Sequence, residues 1–510
     1  MTSTAVPPKG DATSKATRLL CAGAYLDPGF RKAVIRELLT FRFRVVAPAY
    51  GYDAVSVLAH ALAAEQLRRV QALAVALGAF VILVLMYAGP LNPVIGWLLF
   101  FWLVWGSAYL RRIAVLQVLI RRLRPEQVGG EFDGGYPLTH RLTPDLVAKI
   151  DREQTSDQGL VRFGGYWPFV GAGNRMGGWA NTELLLGAPV NVLEKRVGQP
   201  VPDRRDADEP QQQARKDVKA FTVDEITSYV TDHMTRQLRD DAPVGERIQG
   251  LTIERRSYGT ANQVLDGVSG GTPSSTASGP NEDYHAAREY LCIRIGSWDQ
   301  ELVTSMFVGF DLRGNTLHTE FYTYLLAPIR GSFHLVDGLP AGLDGGLLLR
   351  LAWDVLKSAP GATLRLTAKF TEWVFSALHG SPLRRANLRR LIESVDTSEF
   401  GLARYARVEW SPGAHTSIRE MAMSDTYHVF FQSADRTKYT QIVQRRLLQV
   451  VRTFLVEHNV DTQDHDAHQT NILNQTIGDK ANFGTGNVSY DNQGQQTQGD
   501  NSPIGKKEKH

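Results

Sequence analysis

Only two cysteines, Cys21 and Cys292, occur in 510 residues. They lie far apart in sequence, which excludes a disulfide framework and fits a reducing cytoplasm. An excess of charge of one sign is also missing. Fifty-six Lys and Arg against 53 Asp and Glu leave a net charge of +3, so no general nucleic-acid field and no nucleic-acid partner are expected. The chain has no Walker A loop, no HExxH zinc helix and no CxxC pair, and each would have carried a specific chemistry. No catalytic residue, cofactor or metal is assigned on this basis, and an enzymatic role is left uncertain and not favoured. No secretory signal peptide is expected, because the first long apolar run begins too late. The most telling gap is local: between Gln71 and Leu110 there is no Asp, Glu, Lys or Arg.

That charge-free stretch organises the rest. Val70–Ala88 would make a helix of about 28 Å, close to the thickness of a bilayer core. Gly89, Pro90, Asn92 and Pro93 break the helix, and a second, shorter apolar run covers Val94–Leu110. We read a transmembrane hairpin with segment ends Val70, Ala88, Val94 and Leu110, and the lipid bilayer as its partner. Tyr87, Trp97, Trp105 and Tyr109 lie near the ends of the runs, where amphipathic rings favour the membrane interface. Arg42, Arg44, Arg68 and Arg69 precede the first run; Arg111, Arg112, Arg121, Arg122 and Arg124 follow the second; the connection carries no Lys or Arg. The positive-inside bias then puts both termini in the cytoplasm, on the inner (plasma) membrane. A re-entrant hairpin is the alternative. IAVLQVLI, residues 113–120, reads either as the end of the second helix or as a short helix lying on the membrane.

The expected fold class is α+β. A small helical N-terminal cytoplasmic region (1–69) precedes the hairpin (70–120). A Gly/aromatic-rich β region (121–198), a flexible linker (199–218), a larger cytoplasmic α+β domain (219–460) and a disordered Asn/Gln/Gly-rich tail (461–510) follow. Near-helical apolar spacing over Phe30–Leu39, a stop at Asp27-Pro28 and an N-cap at Asp53 define the first region. In the large domain, Thr222 and Glu225 have the spacing of a capping box ahead of a helix over Val223–Leu238. Leu251–Tyr258 reads as a strand. A three-stranded antiparallel meander follows, in which Leu302, Thr304, Met306, Val308, Phe310 and Leu312 share one face, as do Leu317, Thr319, Phe321, Thr323 and Leu325. Further helices are expected over Gly346–Lys357, Leu364–Leu378, Leu383–Glu393 and Tyr439–Glu457, with a strand at Arg404–Trp410. Strands followed by helices, without alternation, indicate α+β.

Four clusters carry residue types suited to a site. The glycines of Gly171-Ala172-Gly173-Asn174-Arg175-Met176-Gly177-Gly178 can expose N–H groups to an anion, but a dinucleotide fold needs a full helix afterwards, so a structural turn is preferred. Asp461, Asp464, His465, Asp466 and His468 offer metal-type ligands, although a solvated polar segment is the simpler reading. Arg384, Arg385, Arg389 and Arg390 could rest on anionic lipid or form a solvated face. His318, Glu320, Tyr322 and Tyr324 share a strand face that could line a pocket or simply be exposed. In the tail, Asn/Gln ladders and patches such as Asn482–Tyr490 suit self-association in cross-β form, if they do not remain disordered.

Several stretches together, TRLLCAGAYLDPGF, YWPFVGAG, the meander, SIREMAMSDTYHVFFQ and FLVEHNVDTQDHDAHQTNILNQ, resemble a family of uncharacterised actinobacterial two-helix inner-membrane proteins with cytoplasmic domains. The resemblance implies the same architecture and no activity or site residue. The tail is similar in style to tails on bacterial conflict and signalling proteins. The expected function is that of a membrane-anchored, cytoplasm-facing scaffold or signalling protein with a protein partner or tail-mediated self-association. A small-ligand sensor or enzyme with a pocket in residues 130–460 is the alternative. A pore-forming effector is a third reading, weakened because the hairpin has no intramembrane charge.

Overall fold

A computed structural model describes residues 11–41, 44–89, 91–125, 132–156, 159–190, 215–261, 287–358, 360–361 and 413–478. The helices expected over Leu364–Leu378 and Leu383–Glu393, the strand Arg404–Trp410, the Arg384–Arg390 cluster and the tail beyond residue 478 lie outside the described residues.

Helix α1 (Lys15–Leu26) is capped by Ser14 and stops at Asp27, whose side chain in turn caps α2 (Pro28–Ile35) with Pro28 at its first turn. Proline suits that position because its missing N–H would have no helical partner there. A π-turn, Arg36–Thr40, extends α2. Asp53 caps α3 through Val55 N and Ser56 N, and α3 runs unbroken from Ala54 to Tyr87. Asn92 caps α4 (Pro93–Val118), which ends in a π-turn over Leu119–Leu123. Leu119, Ile120 and Leu123 are buried, and Leu119 and Leu123 belong to the core of α1, α2, the first turns of α3, and α5 (Pro144–Thr155). The segment after Leu110 therefore continues the second helix and ends in this core.

Six strands form one sheet in the order β1-β3-β4-β5-β6-β2: β1 Leu160–Phe163, β2 Asn174–Leu184, β3 Leu251–Thr260, β4 Arg288–Ser297, β5 Leu302–Arg313 and β6 Thr316–Leu326. All neighbours are antiparallel except β1 and β3. The meander, β4 to β6, is present; β2 from the Gly/aromatic segment pairs with β6 on one side of it, and β3, with β1 from the same segment beyond it, lies on the other. Strand β2 begins directly after Gly173, so no helix follows the glycines as a dinucleotide fold would need. The sheet is covered on both faces. Met306, Val308, Leu317 and Phe321 pack against α6 (Val223–Thr235, with the Thr222/Glu225 capping box) and α9 (Phe430–Glu457). On the other face Phe307, Tyr258, Tyr290 and Tyr324 surround Phe169, whose ring stacks on Phe307 at 4.0 Å. That second layer corrects the picture of a solvated strand face at Tyr322 and Tyr324: Tyr324 is buried and Tyr322 packs against the same cluster. Full burial of an aromatic such as Phe307 contributes about 1.5–3 kcal/mol.

Two more helices bear on the sites below. Residues 345–358 form a helix, α7. After the single turn α8 (Ile418–Met421) and α9 comes α10 (Gln463–Gly478), where a tail was expected from Asp461. His465 fixes it: its side chain is 3% exposed, with Nδ1 2.8 Å from Glu183 Oε1 and Nε2 3.1 Å from Leu448 O. Burial disfavours the charged ring, but Glu183 and the Leu448 carbonyl outweigh it, and its pKa lies above the ordinary value.

Candidate functional site

Among the described residues, two helices, Ala54–Tyr87 and Pro93–Leu123, are long and apolar enough to cross a membrane. In α3 the change from buried to exposed is abrupt. Residues up to Glu65 are packed into the N-terminal core, whereas Val70, Leu73, Leu77, Phe80, Val81 and Leu83 face outward. Val70 is 58% exposed, Val94 75% and Leu110 66%, and Ala88 is the C-cap of α3. A core helix would bury this face; instead the apolar window of α3 has no buried residue. The helices approach closely at Gly78, where an added Cβ would lie 2.5 Å from Leu103 Cδ2, and at Gly96, where it would meet Met86 Sδ at 2.4 Å. Small residues at such points allow apolar helices to pack without a hydrophobic driving force.

The base of the hairpin is charged. Glu65, the last buried residue of α3, holds Arg68 at 2.6 Å, Arg31 at 3.4 Å and Arg69 at 3.6 Å. The hydrogen bond from Arg68 is the main cause that keeps its carboxyl below the usual range. At the matching end of α4, Trp105 and Tyr109 stack at 5.4 Å and donate to the Ala352 and Leu348 carbonyls of α7. Leu349 and Trp353 of α7 remain exposed.

Beneath this base lies a junction that sequence reading missed. The β4–β5 turn places Trp298, Asp299 and Gln300 in succession in the left-handed region, at φ 55°, 53° and 63°. None is glycine, so each carries a steric cost of about 1 kcal/mol. Glu301 follows, with its side chain 2% exposed. Lys15 Nζ is 3.0 Å from its Oε2, and His334 Nε2 is 2.7 Å from its Oε1. His334 Nδ1 lies 3.5 Å from Asp337, which also takes Arg18 at 2.7 Å. His428 Nε2 donates to Ile329 O at 2.6 Å, and its ring sits 5.0 Å from that of His334. Arg419, fully buried, donates to the Glu301 and Ala327 carbonyls. Asp337 and Glu301 push the His334 pKa up to about 9, while burial lowers that of Arg419 to about 10. The residues come from five separate parts of the chain, so no spacing announces them.

The sequence-derived clusters fare differently. Gly171 N and Gly173 N do bind an anion, the chain's own Glu420: both donate to Oε1, at 2.9 and 3.0 Å, while Ser417 N donates to Oε2 at 2.7 Å. Burial raises the Glu420 pKa despite these donors. Gly171 and Gly173 have φ near +90°, which favours glycine. This is the structural turn preferred from the sequence, with its anion supplied from within the chain. Asp466 pairs with Arg452 at 2.6 Å and His465 with Glu183, so these two members of the 461–468 segment are engaged separately. His318 hydrogen-bonds Thr182 at 2.8 Å and lies 3.3 Å from Glu320. A cleft of about 280 Å³ is lined by Val46, Lys149, Arg152, Glu153 and Arg162 among others.

The chain matches the AbeC-like domain family over residues 179–489. That is more than half of its length, and the chain belongs to this family. The match opens inside β2 and takes in β3–β6 and α9; the helical bundle and both apolar helices precede it. No curated protein and no solved structure matches the chain.

Proposed function

We propose that the chain is a membrane-anchored interaction protein, in which α3 and α4 cross the inner membrane as a hairpin and present the AbeC-like domain to the cytoplasm. The observation that carries this reading is the continuity of α3. One helix of 34 residues leaves a packed core at Glu65 and goes on as an apolar rod whose only close neighbour among the described residues is α4 and whose outer face is exposed. An exposed apolar surface of that length is rare on a soluble monomer. The arginines at the two basal ends, and their absence from the loop, favour cytoplasmic termini. The 479–510 segment, rich in Asn, Gln and Gly, would join copies or recruit a partner. The lack of catalytic motifs favours a scaffold. Membrane fractionation tests the anchor: the full chain should stay in the pellet after an alkaline carbonate wash, and release into the supernatant would refute it. Ending the chain at Gly478 should leave it in the membrane and remove higher oligomers; unchanged assembly would refute the role of the tail.

A small-ligand sensor is the second reading. It is favoured by the basic cleft at Lys149, Arg152 and Arg162, whose volume falls just below the usual range for ligand sites. A melting shift with a phosphorylated metabolite that is lost in Arg162→Ala would move the assignment there.

A further inference from the structure

We infer that Glu301, His334 and His428 form a binding site for one divalent transition ion, zinc being the best fit. The three side chains each offer a ligand atom, and these atoms all lie within 4.8 Å of one another. Their chemistry suits a borderline ion: two imidazole nitrogens and one carboxylate oxygen, with a position left for water.

Three features distinguish this cluster from an ordinary ion pair. First, His334 Nε2 and Glu301 Oε1 are 2.7 Å apart, yet both are buried atoms without a hydrogen-bond partner. An ion between them would take both as ligands. Second, each imidazole is held from behind. Asp337 faces His334 Nδ1 at 3.5 Å, and Ile329 O accepts from His428 Nε2 at 2.6 Å. A partner on the far nitrogen orients each ring so that its near nitrogen can take the ion in exchange for any proton it holds, which is how metal-bound histidines are supported. Third, the carboxylate is built into place by the left-handed run Trp298–Gln300. Backbone held in a costly conformation persists where the surroundings over-determine it.

Lys15 is the competing cation. It touches Oε2, not Oε1, and is a third exposed, so it can swing into solvent as the ion enters. The ion would tie the β4–β5 turn (Glu301), the 3-10 turn Gly331–Val336 (His334) and the approach to α9 (His428) into one unit. It would sit next to the first turn of α1, which packs under the hairpin.

The test uses the full chain in detergent, stripped with a chelator and titrated with Co²⁺, whose visible absorption reports nitrogen and oxygen ligation. One equivalent should bind, Zn²⁺ should displace it, and the melting temperature should rise. His428→Ala, at a partly exposed ring, should abolish the absorption while keeping the metal-free melt. Lys15→Met should tighten binding several-fold by removing the rival charge. His468→Ala, in the other acidic and histidine-rich segment, should change nothing. Absence of stoichiometric binding overturns the inference, as does binding that survives both His428→Ala and Glu301→Gln. Loss in His468→Ala instead would place the ion elsewhere and equally refute it.

Discussion

Replacing Glu420 by Ala tests whether the glycine-rich turn is built around an internal anion. In the native chain one carboxylate serves three backbone donors, Gly171 N, Gly173 N and Ser417 N, at 2.9, 3.0 and 2.7 Å. Alanine leaves all three without an acceptor. An unpaired buried donor costs about 1–3 kcal/mol, so three partly water-accessible donors should cost about 3–6 kcal/mol together. For domains of this size that corresponds to a fall in Tm on the order of 10 °C. Glu420→Gln keeps one acceptor oxygen but turns an NH₂ toward the remaining donors, and should lose about half as much. Ser417→Ala removes the hydroxyl that caps Glu420 N at 3.2 Å and partners the buried Tyr52 hydroxyl, a loss of about 1–2 kcal/mol. Thermal unfolding of the detergent-solubilised chain, followed by tryptophan fluorescence, should rank the variants Ala, Gln and Ser417→Ala from least to most stable. A Glu420→Ala protein that melts with the parent would show that the nest contributes nothing. A glutamine variant as unstable as alanine would show that charge, not acceptor count, is what matters.

Other outcomes follow from the same contacts. His465 is held by Glu183, and its folded pKa lies above its ordinary value. The protonated ring therefore stabilises the folded form below the ordinary pKa, and this contribution is lost as pH rises through the folded one. Hydrogen exchange over 463–478, corrected for intrinsic rates, should speed up across that window, and His465→Gln should remove the pH dependence. Gly23 faces Phe333, whose ring carbons would lie 2.3 Å from an added Cβ. Gly23→Val should overpack the bundle and cost about 1–3 kcal/mol in a denaturant melt. Cys21 and Cys292 are fully buried, and burial pushes both thiols up, so maleimide should label neither until the chain is unfolded.

Much of the fold was legible because its signals are local. A charge-free run bounded by Gly, Pro and Asn announces α3 and α4, and period-two alternation announces β4 to β6. The Asp53 and Thr222 caps are each set within three residues. What escaped depends on distance. Nothing in NRMGGWANTEL shows that it pairs with Thr316–Leu326; the partner strand decides that. The glycines after Phe169 were readable as an anion cradle, but their anion is supplied 247 residues later. His465 looked solvated because its partner, Glu183, lies 282 residues away. The junction of Lys15, Glu301, His334 and His428 was invisible for the same reason: each residue alone is an ordinary surface type, and only the packing of α1 on the β4–β5 turn brings them together.

The measurement closest to the central claim is the position of the hairpin loop relative to the membrane. The buried native cysteines leave the chain silent to a membrane-impermeant maleimide. A cysteine can then be placed at Asn92, between the two apolar helices, and a second, in a separate variant, at the exposed Lys438 on α9. Applied to intact spheroplasts, the reagent should label Asn92→Cys at once and Lys438→Cys only after lysis. Labelling of Asn92→Cys only after lysis would contradict a spanning hairpin with cytoplasmic termini, and recovery of either variant in the soluble fraction would contradict the anchor itself.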